Sequence, residues 1–384
     1  MATPPPPLIE DVVHEILLRL PPGDPACLAR ACLVCKPWRR TLTDPGFLRR
    51  YREFHRAPPM LGFLCNTDSP GDVDYTARFV PTSSFRPAAL YRRGLHAIAA
   101  GHGRVLLHTD PYEGPVSLVV WDPVTDEQWS VPRLPVTAPY QVCFNAVVLC
   151  AAAGCDHLDC HGGPFAVAYV GLHEQQGFTL GCLYSSATGK WGKPAKLEGP
   201  IAAGVDYLPG VLVGNAVYFH CIHKATRRIV KYDMGREELS VIDVPFMHRC
   251  HLSFVLTVTE DGKLGFACIT MKSLYLWSRE AGPDGAVAWT QRRAIELETM
   301  LLYFSIGKVP VWHVPTLIGF AAGAGVVFMM TEAGRVFSVD LESGRYHKTS
   351  FPRFRNGDPD REPMLIPYMS FYTPDHATRR SPSP

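Results

Sequence analysis

Several features are missing from this chain, and each absence removes a class of function. Neither sign of charge is in excess: 38 Lys and Arg face 36 Asp and Glu across 384 residues, a net charge of +2. That balance gives no footprint for a polyanion, so nucleic acid is not an expected partner. The N-terminus carries a proline run, Pro4 to Pro7, instead of a basic start and an apolar segment, so no secretory signal is expected. The longest apolar run, Leu317 to Thr331, is too short to cross a bilayer as a helix. Its central Gly323-Ala324-Gly325 reads instead as a turn between two buried strands. No membrane segment is expected.

Catalytic signatures are equally scarce. Gly101-His102-Gly103 is only a fragment of a phosphate-cradling loop, and no Gly-x-Ser-x-Gly elbow is present. The 15 histidines are scattered, with none at a metalloprotease spacing. The doublets Arg92-Arg93, Arg227-Arg228, Arg292-Arg293 and Arg379-Arg380 read as solvated turns, a minority of which could line a reading face. The expectation is a non-catalytic protein without a cofactor.

Cysteine is not scarce. Twelve cysteines without a secretory signal read as free thiols in a reducing compartment, the cytoplasm or the nucleus. Cys143, Cys150, Cys182 and Cys268 sit in apolar runs, where cysteine behaves as a small hydrophobe. The stretch Cys155-Asp156-His157-Leu158-Asp159-Cys160-His161, with Cys150 nearby, has the ligand types that zinc prefers. No second spaced pair completes a four-ligand set, and His220-Cys221-Ile222-His223 could help only if folding brought it close. A polar loop without metal is the expectation here.

The first 60 residues are helical in pattern. Ile9, Val12, Val13, Ile16, Leu17 and Leu20 recur at helical spacing, and Pro21-Pro22 stops the run. Asp24-Pro25 and Asp44-Pro45 are N-cap-plus-proline starts, and a further helix begins near Lys36-Pro37. Four short helices bury too little apolar surface to stand alone, so something else must cover them.

This stretch resembles the F-box in the order of its features: Leu8, then Glu15-Ile16-Leu17, Leu20-Pro21, an alanine- and cysteine-rich second helix from Leu28 to Leu33, and Val34-Cys35-Lys36-Pro37-Trp38-Arg39. One departure is Ile9, where the family usually has proline. The resemblance implies docking onto an SKP-type adaptor and, through it, onto a cullin-based ubiquitin ligase. The implied adaptor-facing residues are Leu8, Ile16, Leu17, Leu20, Pro21, Val34, Cys35 and Trp38.

Beyond residue 58 the pattern turns to short strands and turns. An apolar strand, a polar turn and an aromatic or apolar anchor recur about every 50 residues, with anchors at Trp129, Trp191, Leu239, Trp289 and Tyr346. A glycine-containing turn between two apolar strands precedes most copies, as at Gly101 to Arg104, Gly214-Asn215, Glu260 to Lys263 and Gly323 to Gly325. Units of this size fit four-stranded propeller blades. Five copies are legible, and a sixth can be assembled from Met60 to Val80 with a strand in Pro363 to Tyr372. The grammar resembles the kelch-like, propeller-like region that follows the F-box in large plant families; an irregular pair of β-sandwiches is the alternative.

The fold expected is therefore α+β multidomain: an all-α F-box followed by an all-β propeller of about six four-stranded antiparallel blades. The domains read as a disordered 1–7, a helical 8–56, a propeller over 59–374 and a disordered tail over 375–384. The function expected is substrate recognition within the ligase, with an unknown target on the propeller. The alternatives are a propeller enzyme or small-molecule sensor with a helical appendage, or an F-box scaffold unconnected to degradation.

Overall fold

The computed structural model of the protein describes residues 10–68, 75–109, 116–134, 143–173, 177–198, 204–205, 208–223, 226–245, 254–270, 273–282, 286–297, 315–331, 334–349, 351 and 364–379. Leu8, the segment 1–7 and the tail beyond 379 lie outside them. No helix among the described residues is long and apolar enough to cross a membrane.

Four helices open the chain: α1 (Glu10–Leu18), α2 (Pro25–Val34), α3 (Lys36–Thr43) and α4 (Pro45–His55). The Asp-Pro starts work as their chemistry requires. Asp24 accepts a hydrogen bond from the Ala26 amide at 3.2 Å and Asp44 from the Phe47 amide at 2.8 Å, each satisfying an amide that the helix itself leaves open. Proline at the first helical position loses nothing, because its missing N–H would have had no partner there. Leu17, Leu28, Leu42, Leu48 and Tyr51 meet in the module's core.

The strands beyond the helices form six antiparallel sheets, each built on four strands, consecutive in sequence in five of them, with small extra strands in two. These are six propeller blades. Their innermost strands are Ile366–Met369, His96–Gly101, Phe144–Cys150, the pair Gly204–Val205 and Val211–Val213, Phe254–Val258 and Thr316–Ala321. Every sequence anchor falls in an outermost strand: Gln128–Val131, Lys190–Trp191, Glu238–Asp243, Val287–Glu296 and Tyr346–Lys348. The sixth blade forms as the pattern required. Ile366–Met369 is its inner strand, pairing antiparallel with Met60–Asp68, so the ring is closed by joining the two ends of the propeller sequence.

Strands near the centre are largely buried on both faces, because each blade covers the next; Phe144–Cys150 is buried in all but its last residue, and Arg104–His108, in second position, at every residue. The polar turns before the outermost strands share one device. Asp122 accepts from the Val124 amide at 2.8 Å, Asp233 from the Arg236 amide at 3.2 Å and Asp340 from the Ser343 amide at 2.6 Å. A side-chain carboxylate thus caps the turn in three blades, which is why aspartate recurs there.

One boundary differs from the sequence reading. Pro374–Arg379 form a helix, α5, where a disordered tail was expected from 375. His376 is completely buried, so the helix is held by packing that local sequence does not announce.

Candidate functional site

The helical module buries one set of its apolar side chains and leaves another exposed. On α1, Leu17 and Leu18 are buried, whereas Val12 and Ile16, one turn apart, are each 43% exposed. At the end of α2, Leu33 is 84% and Val34 62% exposed. Cys35 and Pro21 are also exposed, and Leu20 and Trp38 are half-buried at the edge of the module core. Of the residues expected to face an adaptor, Ile16, Pro21, Val34 and Cys35 are accessible, Leu20 and Trp38 partly so, and Leu17 is enclosed. Leu33, absent from the expected set, is the most exposed large hydrophobic side chain described. Its signal was available: it lies beside Val34 in the same apolar run.

The covered side of the module rests on the propeller. Tyr51 is fully buried, donates its hydroxyl to Leu20 O at 2.8 Å and meets Phe371 edge-on at 6.4 Å. Ser84, between the third and fourth strands of the closing blade, donates to Asp24 at 2.8 Å and accepts from the Ala26 amide at 3.0 Å. The deepest contact is ionic. Arg52 of α4 places Nη1 3.2 Å from Asp159 Oδ2, while Nη2 donates to Thr373 Oγ1 at 2.7 Å and lies 3.3 Å from Asp375 Oδ2. His376 Nε2 stands 3.5 Å from the other Asp159 oxygen. Burial opposes ionisation of Asp159, but its contact with His376 and the Arg52 charge outweigh that, holding the carboxyl well below the usual range.

Through the ring runs a cavity of about 1360 Å³, lined by inner-strand residues such as Val148, Leu256 and Phe320. Its rim carries both signs of charge, with Glu260, Asp261, Arg292 and Arg293 among the lining residues. His161 and Ser370 also line it. The His161 ring is held between two partners: Nδ1 is 2.6 Å from Asp122 Oδ2, and Nε2 is 2.8 Å from Ser370 Oγ. Gly103 makes room for this ring. A Cβ there would stand 2.7 Å from His161 Cε1, on a backbone with φ +75.

The polar loop of the sequence reading is segment 151–164, between the first and second strands of the third blade. It brings together what spacing alone did not. Ligand-type atoms of Cys150, Cys155, His157 and Cys160 all lie within 4.8 Å of one another. Cys150 ends the inner strand and supplies the fourth member, so no second spaced pair is needed. His220, by contrast, serves elsewhere: fully buried, it accepts the Leu256 amide of the next blade at 3.1 Å. None of the eleven described cysteines forms a disulfide.

Residues 8–50 match the family model of the F-box domain, and the chain carries that domain ahead of a six-bladed β-propeller. No curated protein matches the chain. Among solved structures, similarity extends to one of two prolyl endopeptidases, at 14% identity and TM-score 0.40, over 74% of this chain and 39% of that one. It extends also to Sqt1 of Saccharomyces cerevisiae, at 11% identity and TM-score 0.37, over 70% of this chain and 62% of that one. A third is apo AztD from Citrobacter koseri, at 11% identity and TM-score 0.37, over 77% and 72% respectively. The chain thus spans well under two thirds of the endopeptidase's length, and likenesses this distant carry no information about activity.

Proposed function

We infer that this protein is the substrate-recognition subunit of an SKP–cullin–F-box ubiquitin ligase, working in the cytoplasm or nucleus. The observation that supports this best is the exposure of four large apolar side chains, Val12, Ile16, Leu33 and Val34, on a module whose other apolar side chains are packed in its core and on the propeller. Exposed apolar side chains in a stretch that matches the F-box suit burial against an adaptor's apolar surface. The propeller then serves as the platform for a target protein. No residue of this chain performs chemistry in that role: holding a target lysine near a conjugating enzyme raises its effective concentration, which is the whole of the rate gain.

The test is binding of a purified SKP-type adaptor to the full chain, compared with an Ile16→Asp, Val34→Asp double variant. Both positions are solvent-exposed, so the variant should fold. Affinity should fall by about 100-fold or more, roughly 2.7 kcal/mol. A folded wild type that shows no binding at about 10 µM overturns the reading.

A second reading has one observation behind it. Asp122, His161 and Ser370 stand in the acid–imidazole–hydroxyl order of a hydrolase, with His161 and Ser370 at the cavity. Against it, Ser370 is only 5% exposed and its hydroxyl also lies 3.1 Å from the Phe371 carbonyl. Hydrolysis of an activated ester, abolished in Ser370→Ala, would favour this reading; no turnover by the wild type would dismiss it.

A further inference from the structure

The geometry points to a structural zinc site formed by Cys150, Cys155, His157 and Cys160, in the loop between the first two strands of the third blade, which packs against the helical module. The inference is independent of the ligase reading and rests on four side chains and the backbone that presents them.

The spacing of the ligand atoms is that of a coordination shell. Around a zinc ion with Zn–S near 2.3 Å and Zn–N near 2.0 Å, tetrahedral geometry puts sulfur atoms about 3.8 Å apart and sulfur–nitrogen pairs about 3.5 Å apart. Here Cys155 Sγ and Cys160 Sγ are 3.8 Å apart, and Cys160 Sγ is 3.7 Å from His157 Nδ1. The separation of the two sulfurs is nearly twice a disulfide bond. Three sulfurs and one imidazole make a Cys3His set, which suits zinc and lacks the oxygen donors that calcium or magnesium would demand.

The loop's backbone serves the same arrangement. Gly154 and Gly162 have φ values of +67 and +73, and His157 itself has φ 61. A non-glycine residue in the left-handed region costs energy, and here that conformation aims the imidazole at the sulfur atoms. The His157 amide also donates to Cys155 Sγ at 3.4 Å, a contact that fixes where this sulfur sits in the loop. The loop's neck is closed by the Ala151 amide donating to Pro164 O at 3.0 Å. Inside the neck, 151–164 has no regular strand or helix to hold it, which is the situation a metal resolves.

Two residues between the ligands explain what the ion would do. Leu158 packs against the core of the helical module, and Asp159 is the partner of Arg52. Bound zinc would fix both, making the loop a rigid wedge between the F-box and the propeller. His102, with Nδ1 3.9 Å from Cys160 Sγ, packs beside the site.

The experiment is elemental analysis of the full chain, expressed with zinc and purified under reducing conditions. One zinc per chain is the expected content. It should fall at least tenfold in Cys155→Ser, Cys160→Ser and stay unchanged in Cys35→Ser, an exposed cysteine outside the loop. His157→Cys should retain the ion as a four-sulfur site, whereas His157→Ala should release it to a chelator faster. Because the double variant could lose its fold, cobalt(II) is also exchanged into the wild type, where thiolate-to-cobalt absorption should appear. A folded, reduced wild type without zinc or cobalt absorption overturns the proposal. So does zinc content that survives the double substitution in a folded protein, or a native Cys155–Cys160 disulfide found by alkylation.

Discussion

Arg52, in the last helix of the F-box module, lies 3.2 Å from Asp159, in a loop of the third propeller blade. The same guanidinium also reaches Thr373 and Asp375 beside the C-terminal helix. One side chain, 9% exposed, therefore ties together three parts of the chain that are far apart in sequence. Together with the Ser84–Asp24 hydrogen bond and the Tyr51–Phe371 contact, it holds the module on the propeller.

Arg52→Leu should be strongly destabilising, because it leaves two partly buried carboxylates without their cation. A loss of about 3 kcal/mol is expected, the scale seen when one member of a buried ion pair is removed. Chemical denaturation of the full chain measures it. If the midpoint moves by no more than it does for an exposed arginine such as Arg49, the clamp is not holding the two domains.

Acid should loosen the same junction, with a definite sign. Asp159 and Asp375 have folded pKa values below their unfolded ones, so their contribution is complete above the unfolded carboxylate range and is lost as pH falls through the folded values. Asp159→Asn should flatten stability against pH below about pH 4. A slope equal to the wild type's there would contradict the assignment.

His220 should contribute in the window above that, alongside His102, whose imidazole burial also pushes down, to about 4. Burial, reinforced by Arg227, pushes the His220 imidazole down to about 3, so the folded protein keeps it neutral while the unfolded chain takes up a proton. Stability should decline as pH falls from about 6.5, by up to about 1.4 kcal/mol per pH unit from this residue. His220→Gln should remove that dependence at some cost in stability at neutral pH. Denaturation at pH 7 and pH 5 decides the matter.

Ile16 and Leu17 are neighbours with opposite expected phenotypes. Leu17→Ala should cost about 3 kcal/mol through the cavity it leaves, and adaptor binding should weaken only as far as the module unfolds. Ile16→Asp should leave the melting temperature nearly unchanged while weakening adaptor binding. The pair of measurements separates a core position from a contact position.

Gly103→Ala should be costly for a small change. The added methyl would stand 2.7 Å from the His161 ring on a backbone with φ +75, so strain and displacement combine. A loss of about 2 kcal/mol is expected. An Ala variant with wild-type stability would show that the His161 ring has room to move.

Much of this architecture was legible in the residues. Trp129, Trp191, Leu239, Trp289 and Tyr346 marked outermost strands because only such a strand meets a neighbouring blade on one side and water on the other. The Asp-Pro pairs marked helix starts because cap and proline act locally. Long-range relations were not legible. Arg52 reads as one more surface arginine until Asp159 and Asp375 are brought to it, and Cys150 reads as a strand cysteine until the loop folds back. Leu17 and Ile16 share a helical stripe, and only packing decides which one turns inward. The helix Pro374–Arg379 was missed because its six residues have weak helical signals and are held by a buried histidine.

Closure of the propeller by Ile366–Met369 sets an order on synthesis. Translation runs from the amino end, so the strands Met60–Asp68 and Tyr75–Pro81 emerge early and then wait, without an inner neighbour, while five further blades are made. The helical module waits too, since Phe371 fills its core and Thr373 and Asp375 complete the Arg52 clamp. A polypeptide stopped before residue 366 would leave both halves unfinished at once. Completion of the chain is thereby the step on which both parts depend at once: the last strand of the ring and the last contacts of the helical module arrive together.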